Sequence, residues 1–287
     1  MKYTFVILHY NVISETIKCV ESIRERIKDP VDIVIVDNAS PNGSGETLSS
    51  QYSQDAHVFV LKNDKNLGFA NGNNVGIKYA RNELKSDFVI VLNNDTYLVQ
   101  DDFLEVIESE WNFSHFAVLG PKIHTYSHIN QNPVPCKLLT PKDVDKCIRN
   151  YSYRLIRVYL GIDDIYNSLK EYAKKLLCYK NSILQEKEKN DDFRQENVKL
   201  HGSCFVFSPA FFEHFEGFDN RTFMYAEEDI LYSHVRNKHL LTVYNPKLEI
   251  FHAEKAATKS STKNLRHMKI FYCRENIRSL KILREIV

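Results

Sequence analysis

Short apolar runs alternate with helical patterns over the first 120 residues. Helices are predicted between the runs, for example over residues 68–81 and 101–110. Continuous apolar strands separated by helices indicate a mostly parallel sheet that is covered on both faces. We predict strands at residues 4–8, 32–36, 57–61, 88–92 and 116–119, and the last is expected to end at Gly120-Pro121.

Residues 122–200 have a different pattern, because a Pro/Asn-rich loop is followed by a charged, helical stretch. Apolar residues recur every seven positions from Leu155 to Ile183, with a second series from Val158 to Tyr179. Gly161 is expected to break this helix early. Two interpretations stay open: an amphipathic hairpin packed on its own domain, or a protruding helix that binds a partner or forms a homo-oligomer through residues 155–184.

The remaining chain returns to short strands and helices. Strands are predicted at residues 203–207, 241–244 and 249–251, and a helix at 228–237. Residues 263–287 form a basic helix with seven Lys/Arg and two Glu. This helix is either an ordinary solvated surface or a peripheral contact with anionic lipid.

Composition narrows the functional class. The chain has 38 Lys+Arg and 37 Asp+Glu, a net charge of +1, which argues against a nucleic-acid binder. No apolar run approaches the roughly 18–20 residues that span a bilayer, and no secretory leader is predicted. Six scattered cysteines without a Cys-x-x-Cys pair indicate reduced thiols and a cytoplasmic protein without a zinc site. The lack of GxGxxG after the first strand disfavours a dinucleotide fold.

Polar side chains end two of the predicted strands. Asp37 and Asn38 follow the second strand, and Asn93, Asn94 and Asp95 follow the fourth. Either cluster alone would be read as turn formers. Together, at the carboxyl edge of one parallel sheet, they predict a ligand site. A carboxylate there can accept from ribose hydroxyls or a base N–H, and Asp95 can hold a hard divalent cation.

Two further clusters carry candidate chemistry. Gly68, Gly72 and Gly76 lie four apart on a predicted helix, where Gly76 suggests tight packing and Asn66 with Gly68 suggests a ligand-facing turn. Three consecutive acids, residues 227–229, open another helix. They either cap it or provide a cleft carboxylate whose raised pKa would suit a general base. His252 ends a strand, where it can act as a ligand.

These clusters, in this order, resemble the inverting glycosyltransferase family 2 with the GT-A fold, and especially its rhamnosyltransferase-like branch. The resemblance covers about residues 1–120 and 200–280, and residues 122–200 lie outside it. The matching motifs are His9-Tyr10-Asn11, 36–40, 66–74, 92–96, 202–207, 217–219, 223–229, His252 and 272–276.

The resemblance implies a Rossmann-like α/β domain with a mostly parallel central sheet, flanking helices and a helical insertion at 122–200. Residues 1–121 would form the nucleotide-sugar-binding half, 201–262 the acceptor-binding and catalytic half, and 263–287 the basic C-terminal helix. The implied activity is transfer of a sugar, with inversion, from a dTDP- or UDP-linked donor to a hydroxyl of a bacterial surface-glycan precursor. Such acceptors are normally lipid-linked, so the protein could lie at the inner face of the membrane.

The same resemblance assigns roles to individual residues. Asp95 would bind Mn²⁺ or Mg²⁺, with His252 as a further ligand. The catalytic base would be Glu228, then Asp229, with Glu227 the third acid of the trio. The family's Asp-x-Asp reads Asn93-Asn94-Asp95 here, so one carboxylate remains. Donor-binding residues would be His9, Tyr10, Asn11, Asp37, Asn38, Asn66, Gly68, Phe69, Asn73, Asn93 and Asn94.

Two other functional classes remain as alternatives. A nucleotidyltransferase acting on sugar phosphates shares this architecture, but it would normally have a Gly-rich, basic phosphate loop after the first strand, and residues 9–13 provide none. A non-catalytic partner subunit, working through residues 150–190, is the second alternative. The retained acids argue against it.

Overall fold

The computed structural model describes residues 1–135, 138–178, 191–254 and 265–287. Within these residues the chain forms nine strands and nine helices. The strands are β1 (Tyr3–His9), β2 (Asp32–Asp37), β3 (Val58–Lys62), β4 (Phe88–Asn93), β5 (Thr96–Leu98), β6 (Val118–Thr125), β7 (Gln195–Glu196), β8 (Cys204–Phe207) and β9 (Thr242–His252). The helices are α1 (Ile13–Arg26), α2 (Ser44–Gln51), α3 (Gly68–Asn82), α4 (Phe103–Ser114), α5 (Pro141–Leu160), α6 (Asp163–Cys178), α7 (Pro209–Phe212), α8 (Glu227–Asn237) and α9 (Leu265–Ile286).

All nine strands belong to one mixed sheet. Its order is β3-β2-β1-β4-β8-β6-β9-β5, and β7 pairs with β9. The strands β1 to β4 are parallel, as the apolar runs predicted. Beyond β4 the sheet changes: β8 is antiparallel to both β4 and β6, β9 is parallel to β6, and β5 is antiparallel to β9. The parallel half therefore accounts for only part of the sheet.

The sheet separates two hydrophobic cores. Alternate residues of β1 show the division, because Phe5 and Ile7 join one core and Val6 joins the other. The first core packs against α1 and α4, and the second against α3 and α8. Side chains on both faces of β1, β2 and β4 are buried, which explains why these strands are continuously apolar in sequence.

Several predicted boundaries were wrong. Strand β6 continues past Gly120-Pro121 to Thr125, with a register shift after Pro121. The two strands expected at 241–244 and 249–251 form the single strand β9. Pro246 lies in the irregular part of that strand, where a missing backbone N–H is tolerated. Helix α2 and the three-residue strand β5 were not predicted, because neither has a strong apolar period.

The insertion forms two helices. Thr140 and Asp143 cap the start of α5 reciprocally, and Gly161, in the left-handed conformation, ends it as predicted. Helix α5 packs against α9, and Val144 of α5 shares a small core with Leu280 and Leu283. This agrees with packing on its own domain.

The heptad series is divided between the two helices. Val158 is buried in α5, whereas Ile165 of α6 is exposed. The series therefore does not form one continuous seam over residues 155–172. The side chains of residues 173–178 and the whole of positions 179–183 lie outside the described part of the chain. In the described part of the chain, none of the helices is both long enough and apolar enough to cross a bilayer.

Candidate active site

The carboxyl ends of β2, β1 and β4 bring the predicted strand-end residues to one edge of the sheet. Asp37 of β2 pairs in register with His9 of β1, and Leu8 of β1 pairs with Asn93 of β4. Neighbouring strands lie about 4.8 Å apart, so the backbones at Asp37 and Asn93 are separated by roughly 10 Å. This spacing suits a ligand that extends across the three strands.

His9 is fully buried and holds elements together. Its Nδ1 lies 2.7 Å from Thr16 Oγ1 of α1, and its Nε2 lies 2.7 Å from Ser44 Oγ of α2. Burial lowers the pKa of His9, with the negative charge of Asp37 acting in the opposite direction. His9 therefore positions the end of β1 as a neutral imidazole and offers no free ring nitrogen to a ligand.

The exposed group at the end of β1 is Tyr10. The next residue, Asn11, has a left-handed backbone (φ 65°), and its N–H donates to Ser40 Oγ at 2.9 Å. The Asp37 carboxylate is buried and accepts from the N–H and the hydroxyl of Ser40. Asp37 thus fixes Ser40, and Ser40 in turn holds the backbone of Asn11, the residue after Tyr10.

Asn38 and Asn66 hold the loop that leads into α3. Asn38 Oδ1 accepts from the N–H of Leu67 at 2.9 Å, and its Nδ2 donates to the carbonyl of Gly68 at 3.0 Å. Asn66 Oδ1 accepts from Asn38 Nδ2 at 3.0 Å and from the N–H of Gly68 at 2.8 Å. The turn expected to face a ligand is therefore held mainly by hydrogen bonds within the protein.

The start of α3 meets the segment that precedes the acidic trio. Gly68 has φ +78°, and a Cβ at this position would lie 1.9 Å from the carbonyl oxygen of Phe223. The N–H of Phe69 donates to that same oxygen at 2.8 Å. Asn73 is fully buried, and its Nδ2 donates to the carbonyl of Phe69. Gly68 thus permits a close approach of backbone to backbone.

Two asparagines that sequence reasoning missed strengthen this junction. Asn71 Nδ2 donates to the carbonyls of Asn220 and Thr222 at 3.0 and 3.1 Å. Asn74 Nδ2 donates to the carbonyl of Phe218 at 2.9 Å, and Asn74 Oδ1 accepts from the Phe218 N–H at 2.8 Å. The available signal was the Asn-rich stretch itself, whose regular spacing places both side chains on one side of α3.

Asp95 and His252, the two predicted metal ligands, lie next to each other in the fold. Strand β9 places His252 opposite Thr96 of β5. The His252 Nε2 lies 3.3 Å from Asp95 Oδ1, and both side chains are mostly buried. Sequence spacing alone could not show this contact, because the two residues are far apart in the chain.

A hydrogen-bond chain orients the His252 ring. Gln131 Nε2 donates to Glu254 Oε1 at 2.7 Å, so Gln131 Oε1 faces His252 Nδ1, also at 2.7 Å. The Nδ1 must then carry the proton, which leaves Nε2 directed at Asp95. A metal-ligating imidazole is commonly held in this way by its second nitrogen. The donor set fits a divalent cation.

The protein contributes few ligands at this position. Within the described ranges, no group of three or more His, Cys, Asp or Glu side chains has a metal-binding arrangement. Asn94 is mostly buried, and its Nδ2 donates to Thr16 Oγ1 at 3.0 Å. A cation between Asp95 and His252 would need oxygens from a bound diphosphate or from water to complete its coordination.

The three acids of α8 have different environments. Glu228 Oε1 accepts from the N–H of Gly202 at 2.6 Å. Asp229 Oδ1 instead accepts from Lys199 Nζ at 2.8 Å, so a cation compensates its charge. Glu227 Oε1 is buried and has no hydrogen-bond partner in the described part of the chain.

The electrostatics distinguish the same residues. Burial raises the pKa of Glu227 to about 7, and the charge of Glu228 adds to this effect. Burial also raises the pKa of Glu228, although the Gly202 N–H and the nearby Lys199 charge oppose the shift. Glu227 and Glu228 are therefore the acids of this trio that hold a proton more readily than an exposed glutamate.

Residues 201–203 link the acidic trio to the strand ends. The carbonyl of Ser203 accepts from the N–H of Asn93 at 3.0 Å, one residue after the Gly202 that binds Glu228. The His201 ring lies 5.7 Å from the His252 ring, measured between centroids. Sequence reasoning missed His201, although it directly precedes the Gly202 motif. Acids from distant parts of the chain thus converge around one short segment.

The chain is similar to known proteins in sequence and in fold. The family model described as "Glycosyl transferase family 2" matches residues 4–215. That match ends before the acidic trio and His252. Two curated relatives are each 28% identical: the low-salt glycan biosynthesis hexosyltransferase Agl10 of Haloferax volcanii over 118 residues, and glycosyltransferase GlyG of Streptococcus pneumoniae over 123 residues.

Both sequence matches are partial. They cover 40% and 43% of this chain, and only 36% and 39% of the lengths of Agl10 and GlyG. Two solved structures share the fold at 12% identity. The alignment with TarS 1–349 of S. aureus has a TM-score of 0.52 and covers 96% of this chain and 72% of the TarS chain. The alignment with GalNAc-T7, solved with UDP, GalNAc and Mn²⁺, has a TM-score of 0.58 and covers 92% of this chain and 45% of the GalNAc-T7 chain. The predicted GT-A fold is confirmed.

Proposed function

The chain belongs to glycosyl transferase family 2, and on this premise we propose that it moves a sugar from a nucleoside diphosphate sugar to a hydroxyl of a glycan acceptor, with inversion at the anomeric carbon. The observation that carries the proposal is the convergence around residues 201–203. The His252 ring, beside Asp95, lies 5.7 Å from the His201 ring between centroids, and Glu228 accepts from the N–H of Gly202. A diphosphate leaving group needs a cation that stabilises its charge, and an incoming alcohol needs a base that accepts its proton.

The donor would lie across the ends of β2, β1 and β4. Tyr10 is exposed at this edge, and Asp37 fixes the turn beside it, so these residues would line the nucleoside pocket. Asp95 and His252 would hold Mn²⁺ or Mg²⁺, which when bound stabilises the negative charge on the departing diphosphate. A UDP- or dTDP-linked sugar is the proposed donor, and the complex of GalNAc-T7 with UDP and Mn²⁺ supports this class.

Glu228 is the proposed general base. Its carboxylate would take the proton from the acceptor hydroxyl while that oxygen attacks the anomeric carbon and the bond from carbon to diphosphate oxygen breaks. A raised pKa makes a carboxylate a better proton acceptor at neutral pH, and a positioned base contributes roughly 10²–10⁴ in rate. Asp229 is less suited, because Lys199 compensates its charge. Direct displacement inverts the anomeric carbon and forms no covalent sugar–enzyme intermediate.

The acceptor is proposed to be a precursor of a bacterial surface glycan. The name of Agl10 refers to glycan biosynthesis, which supports an acceptor that is itself a growing glycan. The motif order resembles the rhamnosyltransferase-like branch, so a deoxyhexose linked to dTDP is one of the donors to test. A cytoplasmic location follows from the same proposal, since such donors are made there.

A panel of nucleotide sugars tests the proposal. We would measure the melting temperature with UDP-, dTDP-, GDP- and CMP-sugars, each with and without Mn²⁺, because a ligand that binds only the folded state raises it. Sugar transfer would then be compared for Glu228→Gln and the neighbouring Asp229→Asn. We expect a loss of about 10²-fold or more for the first and a change of a few fold for the second.

Particular results would contradict the assignment. If Glu228→Gln transfers sugar as fast as the parent, Glu228 is not the base. If only Asp229→Asn loses activity strongly, Asp229 is the base instead. Retention of configuration in the product, read by NMR from the anomeric coupling, would exclude the single displacement. If no nucleotide sugar changes the melting temperature, the donor-binding site is misplaced.

A further inference from the structure

The turn that leads into the acidic trio has an unfavourable backbone. Tyr225 and Ala226 both adopt the left-handed conformation, with φ angles of 74° and 62°. Residues other than glycine are strained in this conformation, and they keep it only where neighbouring groups hold them. Ala226 is also the N-cap residue of α8, and alanine has no side-chain oxygen that could accept from the first turn of the helix. The start of α8 therefore depends on contacts from other elements.

Helix α9 contacts this turn at two successive residues. Ser279 Oγ donates to the carbonyl of Met224 at 2.9 Å. The Tyr272 ring packs edge-on against the Tyr225 ring, with 5.0 Å between the centroids and 73° between the planes. Aromatic pairs prefer this geometry, which stabilises them beyond the area that they bury. The contacts from α9 thus oppose the strain of the turn.

Helix α5 of the insertion contacts Tyr272 in turn. The Tyr151 hydroxyl lies 3.2 Å from the Tyr272 hydroxyl, and the two rings are 5.7 Å apart between centroids. The Arg154 guanidinium lies over the Tyr272 ring, 5.4 Å from its centroid. Tyr272 therefore joins the turn at Tyr225 to the insertion.

A small apolar core connects the same three helices. Val144 of α5, Ile230 of α8 and Leu280 of α9 belong to one cluster, and the partly buried Ala226 packs against it. Ala226 and Ile230 each lie two positions from Glu228, one before it and one after it. The chain on both sides of Glu228 is thus held by contacts that involve α5 and α9.

We propose that Tyr272, supported by Tyr151 of the insertion, is a positioning residue for Glu228. Its contact with Tyr225 keeps the left-handed turn in place. The turn fixes the start of α8, from which Glu228 reaches the N–H of Gly202 at 2.6 Å. Misplacing a reacting group by about 1 Å can cost roughly 10²-fold in rate. The insertion thereby serves the transfer reaction through α5, an assignment that rests on the proposed role of Glu228 as general base.

The Gly202 amide reports the position of Glu228 without any substrate. The chain has nine glycines, so ¹⁵N-glycine labelling of the full chain gives a small set of amide signals in an NMR spectrum. Gly202→Ala identifies the Gly202 signal, and Glu228→Ala shows where that signal lies when the carboxylate is absent. A hydrogen bond to a carboxylate is charge-assisted and strong, so its loss should shift the signal clearly.

Three variants compare the tyrosines. Tyr272→Leu and Tyr151→Leu remove the aromatic contacts and keep an apolar side chain. Tyr79→Leu is the matched control, because Tyr79 is also partly buried and contacts Phe59 at 5.5 Å between centroids, but it packs on the core beneath α3. Melting temperatures are recorded for all three. Sugar transfer is measured with the nucleotide sugar that raises the melting temperature of the parent.

We expect Tyr272→Leu and Tyr151→Leu to move the Gly202 signal towards its position in Glu228→Ala. Tyr79→Leu should leave the signal unchanged, although its melting temperature also falls. Tyr272→Leu should lower kcat about tenfold or more, with little change in the KM for the donor. The same substitution should have no further effect on kcat in Glu228→Gln, because the base that it positions is already lost.

An unmoved Gly202 signal in Tyr272→Leu overturns the proposal, as does an equal loss of kcat in the parent and in Glu228→Gln. A shift of equal size in Tyr79→Leu also overturns it, because the signal would then follow general stability. If Tyr272→Leu does not fold, the signal in Tyr151→Leu decides; if Tyr272→Leu folds and only Tyr151→Leu leaves the signal unmoved, the insertion has no part in the positioning. The proposed function fails separately, if Glu228→Gln transfers sugar as fast as the parent.

Discussion

A methyl group at position 68 would occupy the place where the carbonyl oxygen of Phe223 lies, so Gly68→Ala tests the junction between the two halves of the site. The added Cβ would be 1.9 Å from that oxygen and 2.9 Å from the Phe223 Cα. Backbone has to move, because neither neighbour is the end of a flexible side chain. The left-handed φ of +78° adds strain for any residue with a Cβ.

The size of the effect follows from these two contributions. An alanine in the left-handed region costs about 1–2 kcal/mol, and forcing an extra methyl into a packed position costs about 1–3 kcal/mol more. Gly161 provides the matched control, since its φ of +74° is similar and no atom lies within 4 Å of the place that an added Cβ would take. Gly68→Ala should therefore lower the free energy of unfolding by about 1–3 kcal/mol more than Gly161→Ala.

Thermal unfolding and transfer assays on both variants measure the difference. At roughly 2–4 °C per kcal/mol, Gly68→Ala should melt several degrees below Gly161→Ala. It should also lose transfer activity, because the displaced segment at Phe223 leads directly into the acidic trio. Equal melting temperatures for the two variants, together with equal activity, would show that the backbone contact at Phe223 does not hold the site together.

Three further results are expected. Gln131→Ala should weaken Mn²⁺ binding about 10–100-fold, measured by electron paramagnetic resonance, because His252 loses the partner that orients its ring; unchanged affinity would count against this chain of contacts. Stability should decline as the pH rises from about 4.5 to about 7, because folded Glu227 retains a proton that the unfolded chain has released. Glu227→Gln should flatten that part of the pH profile, and an unaltered profile would argue against the raised pKa. Asn74→Ala removes both hydrogen bonds to Phe218 and should cost about 1–3 kcal/mol in chemical denaturation, whereas a neutral outcome would mean that this contact is not needed.

Sequence patterns predicted the parallel half of the fold well, because its physics is local. Strands β1, β2 and β4 are buried on both faces, so each is mostly a continuous apolar run, and β2 and β4 end at Asp37 and Asn93. The second half was harder to predict. Strand β9 contains Pro246 and a register irregularity, and its partners β6 and β5 come from much earlier in the chain. Nothing in a short window of sequence encodes such pairings.

The candidate site shows the same limit. Strand-end acids were found because their residue type and position are visible in the sequence, and Asp95 does meet His252. The turn at Asn66 and Gly68 was expected to face a ligand, but its visible contacts are with Asn38 and Phe223. Asparagine is equally suited to binding a ligand and to bridging two loops, so only the tertiary contacts distinguish these roles.

The hydrogen bonds between α3 and the segment before α8 join residues that are distant in the chain, with separations of 144, 149 and 151 positions. Contacts this distant form only after a long loop has closed, and the entropy of closure is lost before they contribute anything. We therefore expect the amino-terminal strands to fold early and the junction to form late. A partly folded chain would then have the edge of β2, β1 and β4 in place, while Glu228 was not yet in position. During refolding, donor binding would therefore return before sugar transfer.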